Sequence, residues 1–330
     1  MDRHLYLVLA LMLSMLSCSE KDPIRSQSVI PSIEHELANR TPLDNYIERN
    51  FTQPYNVSLI YRYVDREVSR EWSFSPISYE KSVEFATLIQ HLYYEPFSKV
   101  TSAQFLREYT PKMVLLLGSY GYNSDGTTTL GLASNGVKVA FMGLNALDTK
   151  PLASADEATR QKTLEFLNEN YLRTLYHEGA HTFHQKIAYP QEYTKLSIKD
   201  YQYGRQFYYW KDIYEAEKKN KATYQLKKPS FLYAGFITPY ASTNPDEDFA
   251  ELFSYCIMYS EADWEQVYKN ADGKNNDADA LTGREILIKK REIIRKYVRE
   301  TFGVEIEELR AEVQGRYPKL NERDFTRLPE

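Results

Sequence analysis

The sequence predicts an α+β fold, with a small mixed sheet early in the chain and a mostly helical second half. Three observations carry this prediction. Short apolar runs at 57–64, 113–118 and 137–144 are separated by turn-forming residues, the pattern of strands. From Ala155 onward apolar residues recur at three- and four-residue spacing, the pattern of helices. The 330 residues are 42% hydrophobic and 26% charged, an ordinary globular balance and enough chain for one large domain.

The N-terminus stands apart. Arg3 and His4 precede an apolar run from Leu5 to Leu13, then Ser14-Met15-Leu16-Ser17-Cys18. A basic start, an apolar stretch and small residues at its end predict a secretory signal peptide over residues 1–17. The run falls short of the roughly 20 apolar residues that a membrane-spanning helix needs. Met15-Leu16-Ser17-Cys18 resembles a bacterial lipobox, so lipid on Cys18 is expected to anchor the mature chain to a membrane. Ser19-Glu20-Lys21-Asp22 is similar to the signal that sends some lipoproteins of Gram-negative bacteria to the outer cell surface. The expected location is the outer membrane, facing outward. Residues 18–40 read as the lipidated start and a polar tether. Residues 41–330 read as one domain, strand-rich to about 150 and helical after that. With Cys18 lipidated, the second of the two cysteines, Cys256, has no disulfide partner and reads as a buried helix residue.

Within the domain, Thr41 is placed to cap a helix that Pro42 opens. Val83, Phe85, Ala86, Ile89 and Leu92 mark a helix over 80–96. Asn123-Ser-Asp-Gly-Thr is turn chemistry, and 129–133 and 137–144 read as further strands of a meander. A helix over about 170–186 comes next, then an aromatic-rich insertion at 189–233 holding Tyr201, Tyr203, Phe207, Tyr208, Tyr209, Trp210 and Tyr214. Asn244, as N-cap, and Pro245 open a helix that runs to about Ser260. An exposed loop is expected at 270–279. Ile286, Ile293, Ile294, Tyr297 and Val298 mark an amphipathic helix stopped by Gly303.

The chemistry centres on His177-Glu178-Gly179-Ala180-His181. On a helix, positions four apart lie one above the other on the same face. Two imidazoles so placed can both reach one zinc ion at about 2.0–2.1 Å. Glu178, next to the first histidine, can take a proton from a water on that metal and later return one to a leaving amine. Leu172, Leu175, Tyr176 and Phe183 flank the motif and predict that it lies within a helix. Gly179 costs that helix about 1 kcal/mol relative to Ala, which is tolerated where a neighbouring element packs close.

A catalytic zinc usually has three protein ligands and a water. His184 lies three residues beyond His181 and points partly away from the shared face. The metzincin pattern wants Gly three residues after the second histidine and His six after it; here those positions are His184 and Ile187. His184 therefore reads as an orienting or capping residue. Glu247 and Glu251 lie four apart on one face of the helix opened by Asn244, so one can bind the metal while the other orients a ligand imidazole. A capping box would instead occupy Glu247 with a backbone N–H. The first turn of a helix can project a side chain into a cleft, which favours Glu247 as ligand and Glu251 as the orienting acid.

The stretch from His177 to Gln185 and Tyr240-Ala-Ser-Thr-Asn-Pro-Asp-Glu-Asp-Phe-Ala-Glu resemble the zinc-binding metallopeptidases, in particular the substrate import-associated zinc metallohydrolase lipoproteins. The lipobox-like start and the stretch from about Thr41 to Leu144 are similar too. The resemblance implies a zincin-like domain, a zinc cofactor and an active site like that of lethal-factor-type gluzincins. In those, a Tyr lies seven residues before the ligand Glu and another Glu four after it. Here the offsets give Tyr240, Glu247 and Glu251, with Tyr240 implied to donate its O–H to the developing oxyanion. The resemblance also implies a link to outer-membrane nutrient importers of the TonB-dependent type.

The expected protein is a surface lipoprotein that hydrolyses peptide bonds in a peptide or glycoprotein substrate, with Glu178 and Tyr240 catalytic and His177, His181 and Glu247 on zinc. The alternatives are a non-catalytic glycan- or peptide-binding lipoprotein of an import complex, or a metal-dependent hydrolase acting on a glycoconjugate. Retention of Glu178 speaks against the binding module, which has no need of a general base. The strand at 137–144 favours a peptide if it forms a sheet edge to which an extended substrate adds. A net charge of −5 excludes nucleic acid as the expected partner.

Overall fold

A computed structural model describes residues 39–69, 71–123, 128–134, 137–201, 230–273 and 281–329. The expected signal peptide, Cys18 and the expected tether up to residue 38 lie outside the described residues, as do the tip of the turn after Asn123, most of the aromatic-rich insertion (202–229) and the loop at 274–280.

The sheet is built from short apolar runs, and its two central strands are buried almost throughout. Its strands are β1 (Ser58–Ile60), β2 (Met113–Leu116), β5 (Gly131–Ser134) and β6 (Lys138–Phe141), in the order β1-β2-β6-β5. A separate hairpin pairs β3 (Gly121–Tyr122) with β4 (Thr128–Thr129). β1, β2 and β6 are parallel, and β5 runs antiparallel to β6 with Leu132 opposite Ala140. The expected meander is therefore only partly formed. Residues 117–137 separate β2 from β6, long enough to bring the chain back parallel to β2. Nor is 137–144 an edge. Val139, Ala140 and Phe141 are at most 8% exposed, the unbroken apolar run of a strand covered on both faces. The edge on that side is β5.

Helices cover one face. Helix α1 is Pro42–Ile47, starting where Pro42 was expected to open it. Helix α2 (Tyr79–Ile89), capped by Ser78, continues through a π-helical turn at Gln90–Tyr94 into α3 (Glu95–Val100). Phe85 of α2 packs on Phe141 of β6, ring centroids 5.1 Å apart. Helix α4 is Ala103–Tyr109. Helix α5 (Glu157–Leu167) runs through another π-helical turn at Asn168–Leu172 into α6 (Arg173–Lys186), which carries the histidine motif. Helix α7 (Pro245–Met258) lies along α6, with Phe253 packed edge-on against Phe183. Helix α8 (Glu261–Asn270) follows. Helix α9 (Gly283–Phe302) ends, as expected, at Gly303, whose φ of +68° suits a residue without a side chain. Helix α10 (Ile306–Gln314) packs last, and Cys256 is buried in α7.

The sheet's two faces make two cores. Val114, Leu116, Val139 and Phe141 join the main core under the helices. Leu115, Leu117, Ala140 and Met142 face the other way, against Ile60, Val68, Trp72 and Phe74.

Candidate metal centre

Gly179 explains how α6 sits. A Cβ there would come within 2.6 Å of the Tyr93 hydroxyl, so glycine lets the helix pack against the π-helical turn that carries Tyr93. With Leu175, Tyr176, Ala180 and Phe183 in the core, His177 and His181 share the side that faces α7.

Helix α7 starts at a fixed point because the Asn244 side chain accepts from the backbone N–H groups of Asp246 and Glu247, at 2.9 and 3.0 Å. The cap is made by Asn244, and Glu247 is turned to the histidines. Its Oε2 lies 3.1 Å from His177 Nε2 and 3.5 Å from His181 Nε2, and the two Nε2 atoms are 3.1 Å apart. Donors bound at about 2.0–2.1 Å around one tetrahedral zinc are separated by roughly 3.3 Å, so this triangle fits the ion. Among the described residues it is the cluster able to hold a metal.

Glu251 meets the same imidazole from behind. Its Oε1 lies 3.0 Å from His177 Nδ1 and accepts from Arg173 Nη1 at 2.7 Å, while its Oε2 accepts from Thr238 Oγ1 at 2.7 Å. Thr238 Oγ1 in turn accepts from Ala241 N–H, within the 3-10 turn Tyr240–Thr243. One buried carboxylate thus anchors both the ring of His177 and the turn that carries Tyr240, whose ring lies 5.9 Å from that of His177.

His184 plays the matching part for His181, with Nε2 2.7 Å from His181 Nδ1. Burial and the neighbouring His181 push the pKa of His184 down to about 4, so it is neutral near pH 7. With Nε2 of His181 facing the cluster, the proton on its Nδ1 is donated to His184 Nε2. The other His184 nitrogen lies 3.8 Å from Asp246, which accepts from the Tyr189 hydroxyl.

The electrostatics favour positive charge at this point. Burial opposes a charged His177, yet hydrogen bonds to Glu247 and Glu251 hold it up at about 10. Burial also works against an ionised Glu247, but the two histidines hold its carboxyl far below the usual range. Glu251 is kept at about 2 despite burial, chiefly by Arg173 and His177. Glu178, 8% exposed, borders a small apolar pocket with Tyr93, Val139 and Leu175; burial raises its pKa against the pull of both histidines. Loss of hydration, then the Glu247 carboxylate beside it, raises that of Tyr240, although 39% of the residue is exposed.

The residues singled out in the sequence, His177, Glu178, His181, Glu247, Glu251 and Tyr240, meet at this site. Arg173, Thr238 and Tyr93 escaped sequence reading. For Arg173 a signal existed: it lies four residues before His177, on the same helical face.

No curated protein matches the sequence. A crystal structure of a protein from Bacteroides caccae, described as a "putative zinc-binding metallo-peptidase", is similar to this chain at 27% identity and a TM-score of 0.63, over 91% of this chain and 99% of that one. The profile of the family described as "Putative zinc-binding metallo-peptidase" matches residues 36–307, which hold every residue of the centre, and the chain belongs to that family.

Proposed function

We propose that this chain is a zinc-dependent peptidase in which His177, His181 and Glu247 hold the metal. The observation that carries the reading is the triangle of Nε2, Nε2 and Oε2 atoms beside a buried, otherwise unexplained glutamate. Zinc, when bound, polarises a carbonyl and lowers the pKa of a coordinated water toward 7. Glu178 takes that water's proton on a carboxylate oxygen and delivers it to the leaving amine. Tyr240 O–H donates to the oxyanion that develops at the scissile carbonyl. Glu251 and His184 orient the two imidazoles. An extended peptide adds to the edge strand β5, which passes beside Glu178.

The N-terminal reading belongs to the same proposal. Lipid on Cys18 holds the enzyme on the outer face of a Gram-negative outer membrane, next to a TonB-dependent importer that takes up the products of cleavage. The lipobox-like junction supports the anchor, and the family resemblance supports the importer. A lipid label should appear on the chain and vanish in Cys18→Ser. A mature chain that starts elsewhere and carries no lipid sinks this part.

The peptidase itself is tested by zinc content together with cleavage of a diverse peptide library, wild type against Glu178→Gln. Cleavage by the zinc-loaded wild type and its loss in the variant is the expected result. Equal turnover by both overturns the role of Glu178.

A further inference from the structure

The far face of the sheet carries a cavity of about 220 Å³, lined by the apolar side chains of Leu132, Ala140, Met142, Leu117, Phe74 and Val68 and, beside them, by Glu67, Ser69 and Lys138. Lys138 closes one rim by donating from Nζ to the Glu67 carbonyl at 2.8 Å.

Met142 N–H donates to the Leu130 carbonyl at 2.8 Å. In an antiparallel ladder the bonded pairs alternate, so Leu132 and Ala140 form the next bonded pair along this register. The N–H and C=O groups of Gly131 and Ala133 then point away from β6, to the side on which no described strand pairs with β5. Gly131 also sets the height of this edge above α6. A Cβ on it would come within 2.4 Å of Thr174 Cγ2 and 3.6 Å of Glu178 Oε1. The open edge therefore runs directly past Glu178.

Side chains alternate between faces along a strand. Gly131 faces the metal helix, so Leu132 faces the far side, where it is 37% exposed at the mouth of the cavity. A peptide strand laid on β5 places one residue opposite Leu132 and on the same face, with Cβ atoms roughly 5 Å apart. That side chain reaches the cavity, while its neighbours in sequence point toward the metal helix. An apolar cavity of about 150 Å³ already accepts benzene. This one has room for a leucine or phenylalanine side chain.

We infer that this cavity is a specificity pocket, and that the substrates are peptides carrying a large apolar residue at the position opposite Leu132. The inference rests on the peptidase reading and names the substrate class for it.

The test uses zinc-loaded full-length protein and sets of ten-residue peptides, each set varying one position among Leu, Phe, Ala, Asp and Lys. Cleavage is followed for the wild type and Leu132→Lys, and binding of the same peptides for Glu178→Gln with and without Leu132→Lys. Leu132 is exposed, so the substitution should leave folding and zinc content intact. The wild type should favour Leu or Phe over Asp at one position by roughly 10- to 100-fold. Leu132→Lys should shift that position alone toward Asp. A second variant, Ala140→Val, narrows the cavity and should lower the preference for Phe more than for Ala. Cleavage with no apolar preference, or a preference unmoved by both variants, overturns the pocket and leaves the peptidase standing. A preference dependent on Leu132 in binding, without turnover by the wild type, supports the pocket and overturns the peptidase. Neither cleavage nor binding of any peptide overturns both.

Discussion

Glu247 and Asp248 follow one another in the first turn of α7 and point about 100° apart around its axis. Asp248 is wholly buried and accepts from Lys290 Nζ and from the Tyr201 hydroxyl, each at 2.7 Å. Lys290, also wholly buried, donates as well to the Gly235 carbonyl at 2.9 Å and lies 4.5 Å from the centre of the Phe236 ring. One acid meets one base, and the charge is closed within the protein. On the other side of the turn, Glu247 meets two imidazoles whose Nε2 atoms converge with its own oxygen, while Glu178 and Glu251 stand close by. Burial raises the pKa of Asp248 and lowers that of Lys290, each against the attraction of the other. At Glu247 the attraction of the two histidines prevails over burial. A structural ion pair brings its own counter-charge, whereas a metal centre assembles acceptors and leaves the counter-charge to the ion. That difference sets Glu247, which belongs to the cluster able to hold a metal, apart from its equally acidic neighbour.

Substitutions on the two sides of α7 should therefore fail in different ways. Glu178→Gln should lower peptide cleavage by roughly 10²–10⁴-fold and keep the zinc, because only the proton-transfer step is removed; loss of zinc in this variant refutes its assignment as the base. On the closed side, Lys290→Met should cost about 3–5 kcal/mol of stability by stranding Asp248 as a buried unpaired acid. The zinc content of the molecules that remain folded should not change, and replacing both partners by apolar residues should restore most of the loss. A denaturant titration reads both, and a Lys290 variant of normal stability breaks the comparison. Tyr240→Phe should reduce kcat by roughly 10²–10³-fold with little change in KM, and an unchanged kcat would make Tyr240 a packing residue. Zinc at a hundredfold excess over its Kd should stabilise the wild type by about 2.7 kcal/mol. Chelation should remove that increment and Glu247→Ala should nearly abolish it, while the Lys290 variant keeps it. The smallest effect is expected for Glu251→Ala, which should weaken zinc binding by about 10–100-fold. If Glu251→Ala loses the metal and Glu247→Ala retains it, the roles of the two acids are reversed.

The sequence by itself determined what is local. His177 and His181, four residues apart, share one face of α6. Asn244-Pro245 starts α7 and Gly303 ends α9, because caps and stops depend on a few adjacent residues. The family motif added the offsets that link Tyr240, Glu247 and Glu251. Only the tertiary structure decided where the two acids stand relative to His177. Both lie on one face of α7, and the angle at which α7 crosses α6 brings Glu247 to Nε2 of His177 and Glu251 to Nδ1 of the same ring. It also decided that β5, not β6, is the edge. Strand order follows from non-local pairing, which the residues of one strand do not encode beyond the hint of burial on both faces. Arg173, Thr238 and Tyr93 entered the site for the same reason. Arg173 meets Glu251 and Tyr93 meets Gly179 across long stretches of chain, and Thr238 reaches Glu251 from the turn before α7; such contacts exist only once the hydrophobic core has set these elements against one another.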